Sequence, residues 1–345
     1  MSTVIEPMES RLLFVIGPPR SGTTLLMRML SAHSAIYSRA EPHLLTPLAH
    51  LGYYDTVDAA PFDHLQAAQA AREFVADLPH GEDDYLAACR AYTDVLYGQM
   101  LAAHGGGKPL FLDKTPANAL VLPFLTKLYP RARYIALTRH PAAIFSSYAN
   151  SFFDGDYAAA HTFNPILNRY VPAMAWLLRT APVPHVRVAY EQLVQDPETE
   201  MRRVCAFLDL PFEAGAIEYG DHPHDAKGLG DPLGVNRHSR PVTASVDKWT
   251  VELAQDAAKL QLVRDMIATI DDDDLEIWGF PRATFFAPVE AAAARAGHKL
   301  APPPPLDRFR LERKLLRLLR RNIQHNAFGR LVKRTRRLCD VLLRG

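Results

Sequence analysis

Five short polar stretches carry residue types that can do chemistry on an anionic ligand: Gly17-Pro18-Pro19-Arg20-Ser21-Gly22-Thr23-Thr24, Glu41, Lys114, Arg139 with Ser147, and Tyr190. The first is the most specific. Glycines at 17 and 22 bracket a loop holding one arginine, and two threonines follow. The N–H groups of such a loop and of a following helix's first turn converge on one place, where the helix dipole favours negative charge. Arg139 and Ser147 stand eight residues apart, two turns along a helix, so both can meet a second phosphate over its N-terminus.

The elements that must position these residues follow from hydrophobic pattern. Leu12–Ile16 is a continuous apolar run that reads as a buried strand, and Leu25, Leu26, Met29 and Leu30 have helical spacing. Against the nucleoside-triphosphate loop G-x-x-x-x-G-K-[ST], Gly17, Gly22 and Thr24 fit, but Thr23 stands where the lysine belongs. That lysine reaches the β- and γ-phosphates, so its absence argues against ATP chemistry; Arg20, inside the loop, supplies the charge instead.

Further strands are expected at Ala35-Ile36-Tyr37, Leu110–Leu112, Arg133–Thr138 and His185–Ala189. Helices are expected over Asp63–Leu78, Asp83–His104, Pro141–Tyr148, His161–Arg179, Pro197–Leu208 and Asp247–Ile270. The alternation predicts an α/β fold, a P-loop-type doubly wound parallel sheet flanked by helices. Ligands bind beyond the carboxyl ends of strands in such sheets. Each strand exit accordingly offers a polar candidate: Arg20, Glu41, Lys114, Arg139 and Tyr190.

The run Pro19-Arg20-Ser21-Gly22-Thr23-Thr24 resembles the 5′-phosphosulfate loop of the sulfotransferases, which use 3′-phosphoadenosine 5′-phosphosulfate (PAPS). Arg139-x7-Ser147 after a strand resembles the family's 3′-phosphate site. A glutamate about twenty residues beyond the loop makes the pattern similar to that of the tyrosylprotein sulfotransferases and bacterial-type relatives. The resemblance implies in-line sulfuryl transfer to an acceptor hydroxyl, with Glu41 taking the proton and His43 as the alternative base. It gives Lys114, in Lys114-Thr115-Pro116, the role of stabilising charge on the transferring group. Tyr190-Glu191-Gln192-Leu193-Val194 resembles a family run whose tyrosine contacts the nucleotide. Arg240-Pro241-Val242 with Lys248-Trp249 resembles a run whose lysine closes over it. The family's sulfate-contacting serine has no match in spacing: Gly234 falls there, with Asn236, His238 and Ser239 nearby. The resemblance spans about residues 11–250, uses PAPS as co-substrate, and requires no metal.

Two other readings remain. Asp113, ending an apolar strand, matches a Walker B aspartate holding Mg²⁺ in an ATP-using kinase; otherwise it is a cap or an ion-pair partner. A non-catalytic, nucleotide-binding adaptor at a membrane is the alternative suggested by the tail. Residues 306–345 hold 13 basic and 3 acidic side chains, a net of +10, among apolar positions such as Phe309, Leu316 and Ile323; the remainder carries −9. A basic amphipathic helix or helix pair is expected there, resting on an anionic membrane, a partner or its own core, and not on nucleic acid. The expected organisation is a catalytic domain over 1–286, an Ala/Pro-rich spacer over 287–305, and the tail.

Composition is that of a globular protein, 48% hydrophobic and 22% charged in 345 residues. No apolar run reaches transmembrane length and Met1–Ser10 lacks a signal-peptide core, so a cytoplasmic location is expected, with peripheral membrane contact open through the tail. Cys89, Cys205 and Cys339 have no metal-type spacing. Asp271–Asp274 reads as a solvated turn or helix start, Asp221–Asp225 as an acceptor-side loop, and Trp249 and Trp278 as packing residues. The acceptor is a hydroxyl compound: peptide tyrosine, sugar, lipid or small metabolite.

Overall fold

The computed structural model describes residues 7–38, 41–42, 44–51, 53–54, 64–221 and 239–295. Its organising strand is β1 (Leu12–Ile16), whose five side chains are all fully buried. Burying a large apolar side chain contributes about 1.5–3 kcal/mol each, and only a central strand with covered faces can bury consecutive ones. Around it lie β2 (Ile36–Ser38), β3 (Leu110–Asp113), β4 (Arg133–Thr138) and β5 (His185–Ala189). All pair in parallel, in the order β2-β3-β1-β4-β5. The chain leaves β1 toward one edge and returns across it toward the other, so the crevice where the winding reverses opens at β1's carboxyl end.

The helices run α1 (Thr23–Ser31), α2 (Leu45–Ala49), α3 (His64–Ala76), α4 (Glu82–His104), α5 (Leu122–Leu128), α6 (Pro141–Phe152), α7 (Tyr157–Phe163), α8 (Ile166–Thr180), α9 (Tyr190–Gln195), α10 (Pro197–Phe207), α11 (Lys248–Gln255), α12 (Ala257–Ala268), α13 (Asp272–Trp278) and α14 (Ala287–Ala294). The period-2 alternation of β1 divides them between two cores. Leu13 and Val15 pack with α1, α9 and α10. Leu12, Phe14 and Ile16 pack with α4, α5, α6, α8 and the later helices. The doubly wound α/β fold expected from the sequence is the fold observed.

Several elements differ in detail. The helix expected over His161–Arg179 is two helices, because Pro165 follows Asn164 and cannot donate to a continuing ladder. The one expected over Asp247–Ile270 breaks at Asp256, whose carboxylate accepts the Ala258 and Lys259 N–H groups at 3.0 Å each and caps α12. The spacer expected over 287–305 begins as α14: Pro288 sits in its first turn and Val289 is buried in the larger core, so the packed unit runs beyond residue 286. Asp271 does start a helix, accepting from the Asp273 N–H at 2.9 Å, and Asp274 pairs with Arg179. Among the described residues no helix is long and apolar enough to cross a membrane. The tail 306–345, the rest of the spacer, His43, Gly234, Asn236, His238 and the His-containing segment 222–225 lie outside the described residues.

Candidate active site

The loop after β1 is shaped by two residues in the left-handed region, Arg20 (φ 70°) and Gly22 (φ 104°). Ser21 closes it, its N–H and its Oγ both donating to the Pro18 carbonyl, at 3.2 and 2.8 Å. A Cβ on Gly22 would stand 2.4 Å from Tyr190 Cδ2 at a positive φ, so that position requires glycine, whereas one on Gly17 would stand 2.9 Å from Ser21 Oγ and Thr23 Cγ2 and force those side chains to shift. Among the described residues no side chain caps α1, which leaves its first-turn N–H groups open to a ligand. Thr23 is buried, its Cγ2 directed at Gly17, while Thr24 is half-buried.

Arg139, the first residue beyond β4, is 6% exposed. Its Nη1 donates to the Arg20 carbonyl and its Nη2 to the Ser245 carbonyl, both at 2.9 Å. The guanidinium carbon sits 4.3 Å from the centre of the Tyr190 ring. Arg139 Nε is buried with no hydrogen-bond partner among the described residues. Burial draws this arginine's pKa down, while the Tyr190 and Glu191 charges oppose that. Ser147 is the one residue between Pro141 and Ala149 on α6 that is not fully buried, and Arg20 Nε donates to its Oγ at 3.2 Å. Arg139 and Ser147 therefore meet through Arg20. Tyr190 completes the group, its hydroxyl bonded to Ser245 Oγ at 2.6 Å.

Beside this cluster, at the exits of β2 and β3, Lys114 Nζ contacts Glu41 Oε1. The Lys114 side chain is 1% exposed and that of Glu41 15%. Tyr170 on α8 neighbours the pair: burial pushes its phenol up to about 12, with Arg169 opposing and Glu41 adding to the shift. The Walker B reading of Asp113 finds no support. Its fully buried carboxylate accepts from Tyr97 Oη at 2.6 Å, Thr115 Oγ1 at 2.8 Å and Asn118 Nδ2 at 3.4 Å, an internal anchor rather than an ion pair.

All five strand exits thus deliver the polar residue expected of them. Lys248 is set apart: it is exposed at the start of α11, while Ser245, three residues earlier, joins Arg139 and Tyr190. Sequence reasoning missed Ser245, although it lies inside the Arg240–Trp249 run; the only local signal is a small hydroxyl residue between Val242 and Lys248. Trp278 and Trp249 pack as expected and also buttress the site, Trp278 Nε1 donating to the Arg139 carbonyl at 2.9 Å and Trp249 stacking on His140 at 4.1 Å. A cleft of about 440 Å³ lies along β5, α9 and α10, yet Arg20, Glu41, Lys114 and Arg139 do not line it. Convergent side chains, rather than volume, mark the candidate site.

A sequence profile of the sulfotransferase family matches residues 13–214, from β1 to beyond α10. The chain belongs to the sulfotransferase family. Among its relatives, nodulation protein NoeE of Sinorhizobium fredii is 30% identical over 289 residues, covering 77% of this chain and 66% of that protein. Protein-tyrosine sulfotransferase A of Caenorhabditis elegans is 24% identical over 277 residues, 76% of this chain and 68% of that one. The chain thus spans about two thirds of the length of these relatives. Among solved structures, the sulfotransferase domain from the Synechococcus PCC 7002 olefin synthase aligns with a TM-score of 0.48 and 24% identity, over 75% of this chain and 95% of that one.

Proposed function

We propose that this chain moves a sulfuryl group from PAPS to an acceptor hydroxyl by in-line displacement, with Glu41 as the base and without a metal. One observation carries the reading. A buried arginine with an unsatisfied Nε, a second arginine and the hydroxyls of Ser147, Tyr190 and Ser245 converge beside the N-terminal ends of α1 and α6. That donor set suits a ligand with two separate phosphate-type groups. A buried cationic nitrogen without a partner is costly unless a ligand supplies the acceptor.

When bound, the donor supplies a sulfonate already activated by a phosphate leaving group. In the proposal Arg20, Ser21, Gly22, Thr23 and Thr24 hold its 5′-phosphosulfate, the backbone contributing most of the donors. Arg139 and Ser147 hold the 3′-phosphate, and Tyr190 and Lys248 flank the nucleotide. Glu41 accepts the proton of the acceptor hydroxyl as that oxygen bonds to sulfur and the sulfur–oxygen bond to the phosphate breaks. Lys114, already against Glu41, donates to the oxygens on which charge collects. The acceptor class is a hydroxyl compound: peptide tyrosine, sugar, lipid or small metabolite. The basic tail is proposed as the docking element for an anionic membrane or partner, in a cytoplasmic setting.

Transfer of labelled sulfate from PAPS to a panel of these acceptors, wild type against Glu41→Gln, tests the reading. Transfer by the wild type and its loss in the variant supports it. Phosphoryl transfer from ATP with Mg²⁺, and none from PAPS, overturns it.

A further inference from the structure

Ser147 has a neighbour whose side chain points the other way along α6. Ser146 is buried, and its Oγ donates to Glu252 Oε2 on α11 at 2.7 Å. Asn150, one turn on, donates to the same oxygen at 2.8 Å and to Ser146 Oγ at 3.3 Å. Glu252's other oxygen accepts from Lys259 Nζ on α12 at 2.6 Å. One carboxylate, its side chain 15% exposed, therefore ties three helices together.

The tie sits where it can matter to the anion site. α6 carries Ser147, and the residues just before α11 carry Ser245; these two contribute to the same cluster around Arg20 and Arg139. α11 grips α6 at two levels. Trp249 stacks on His140, the residue before α6, and Glu252, one turn later on the same face of α11, holds Ser146 and Asn150. The relative rotation of the two helices decides whether the Ser147 hydroxyl and the Ser245 carbonyl face the arginine pair together. A mostly buried ion pair is weak as a source of stability, and an apolar residue of similar volume is often as good. What a hydrogen-bonded carboxylate supplies that a leucine does not is a fixed register.

We infer that Glu252 is a positioning residue for the donor site, acting through Ser146 and Asn150 to hold Ser147 in line with Arg20. This rests on the donor-site reading of Arg20, Arg139 and Ser147 given above.

The test measures adenosine 3′,5′-bisphosphate binding by calorimetry, the KM for PAPS and kcat, and the thermal midpoint, in the full chain. The variants are Glu252→Leu, Glu252→Gln and Ser146→Ala. Glu252→Leu should raise Kd and KM roughly tenfold, with kcat at saturating PAPS changed by less than about twofold. Glu252→Gln keeps an acceptor oxygen for Ser146 and should restore most of the binding. Ser146→Ala removes one of the two α6 contacts and leaves that of Asn150, and should raise KM severalfold with little change in midpoint. A lowered midpoint with unchanged Kd and KM in both Glu252→Leu and Ser146→Ala would show a purely structural tie and overturn the inference. If Glu252→Leu does not fold, Ser146→Ala alone decides. Failure of the wild type to bind the bisphosphate counts against the donor reading itself, whereas equal binding by wild type and variants counts against the positioning role alone.

Discussion

Lys114 and Glu41 meet across 73 residues of sequence, each standing at the exit of a different strand of one sheet. Because β2 pairs with β3, the base and the cation proposed for the reaction are neighbours by topology, and the pair stands beside the loop that follows β1. Their contact makes the two residues interdependent. Glu41→Gln leaves Lys114 an oxygen to bind but cannot take a proton. We expect a kcat lower by about 10²–10⁴-fold with bisphosphate binding intact. Glu41→Ala leaves a buried ammonium without this partner and should in addition destabilise the fold by roughly 3–5 kcal/mol, seen as a lower urea midpoint. Equal activity of wild type and Glu41→Gln would remove the glutamate from the mechanism.

Gly22 adopts φ 104° and lies against the Tyr190 ring. Gly22→Ala brings about 1–2 kcal/mol of backbone strain together with a clash that only a shift of Tyr190 relieves. Tyr190 in turn stacks under Arg139. The expected result is a modest fall in melting temperature and a far larger loss of bisphosphate affinity. A variant that melts lower but binds as well as wild type would show that loop shape and Arg139 placement are not coupled through Tyr190.

His140 gives a pH signature. Burial lowers its pKa from the ordinary 6.5 to about 3; the Phe285 carbonyl, 3.1 Å from Nε2, opposes this and the Arg139 charge adds to it. Below about pH 6.5 the unfolded chain takes up a proton that the folded chain refuses. The stability from this neutral histidine is complete above that pH and falls as the pH drops toward 3, by at most ~1.4 kcal/mol per pH unit. His140→Phe keeps an aromatic face for Trp249 and lacks the titration. Its denaturant midpoint should be lower than wild type at pH 7.5 but should decline less between pH 6.5 and 4.5. Parallel declines would show that His140 is not the group responsible.

How much of this was legible in the sequence depends on how local each signal is. The β1–loop–α1 unit and the five strand exits rest on apolar runs and on residue types at short spacing, and each reappears in the fold; Arg139 and Ser147 are joined there only through Arg20. The break at Asn164-Pro165 was also legible, since a proline stands there, but helical periodicity on both sides masked it. Asp256 was less so, because an acidic residue in mid-helix declares itself a cap only when its carboxylate turns back onto the following N–H groups. Ser245 carried no more local signal than a hydroxyl between Val242 and Lys248, and Glu252 none: their roles come from contacts spanning 106 residues, to Arg139 and Ser146. Arg20's left-handed backbone was equally hidden, because the arginine holds a conformation normally left to glycine. It lets Arg20 O accept from Arg139 while its side chain reaches Ser147. Asp113 is the converse case, a motif-like aspartate whose three internal donors occupy it in the core.

The central claim is the donor, and thermal stabilisation tests it most directly. A ligand that binds only the folded state raises the melting temperature, by an amount that grows with the logarithm of its affinity. Adenosine 3′,5′-bisphosphate, ADP and ATP would each be added to wild type and Arg139→Ala, with and without Mg²⁺. The account predicts a metal-independent shift with the bisphosphate alone, lost in Arg139→Ala. A shift with ATP and Mg²⁺, and none with the bisphosphate, would contradict it.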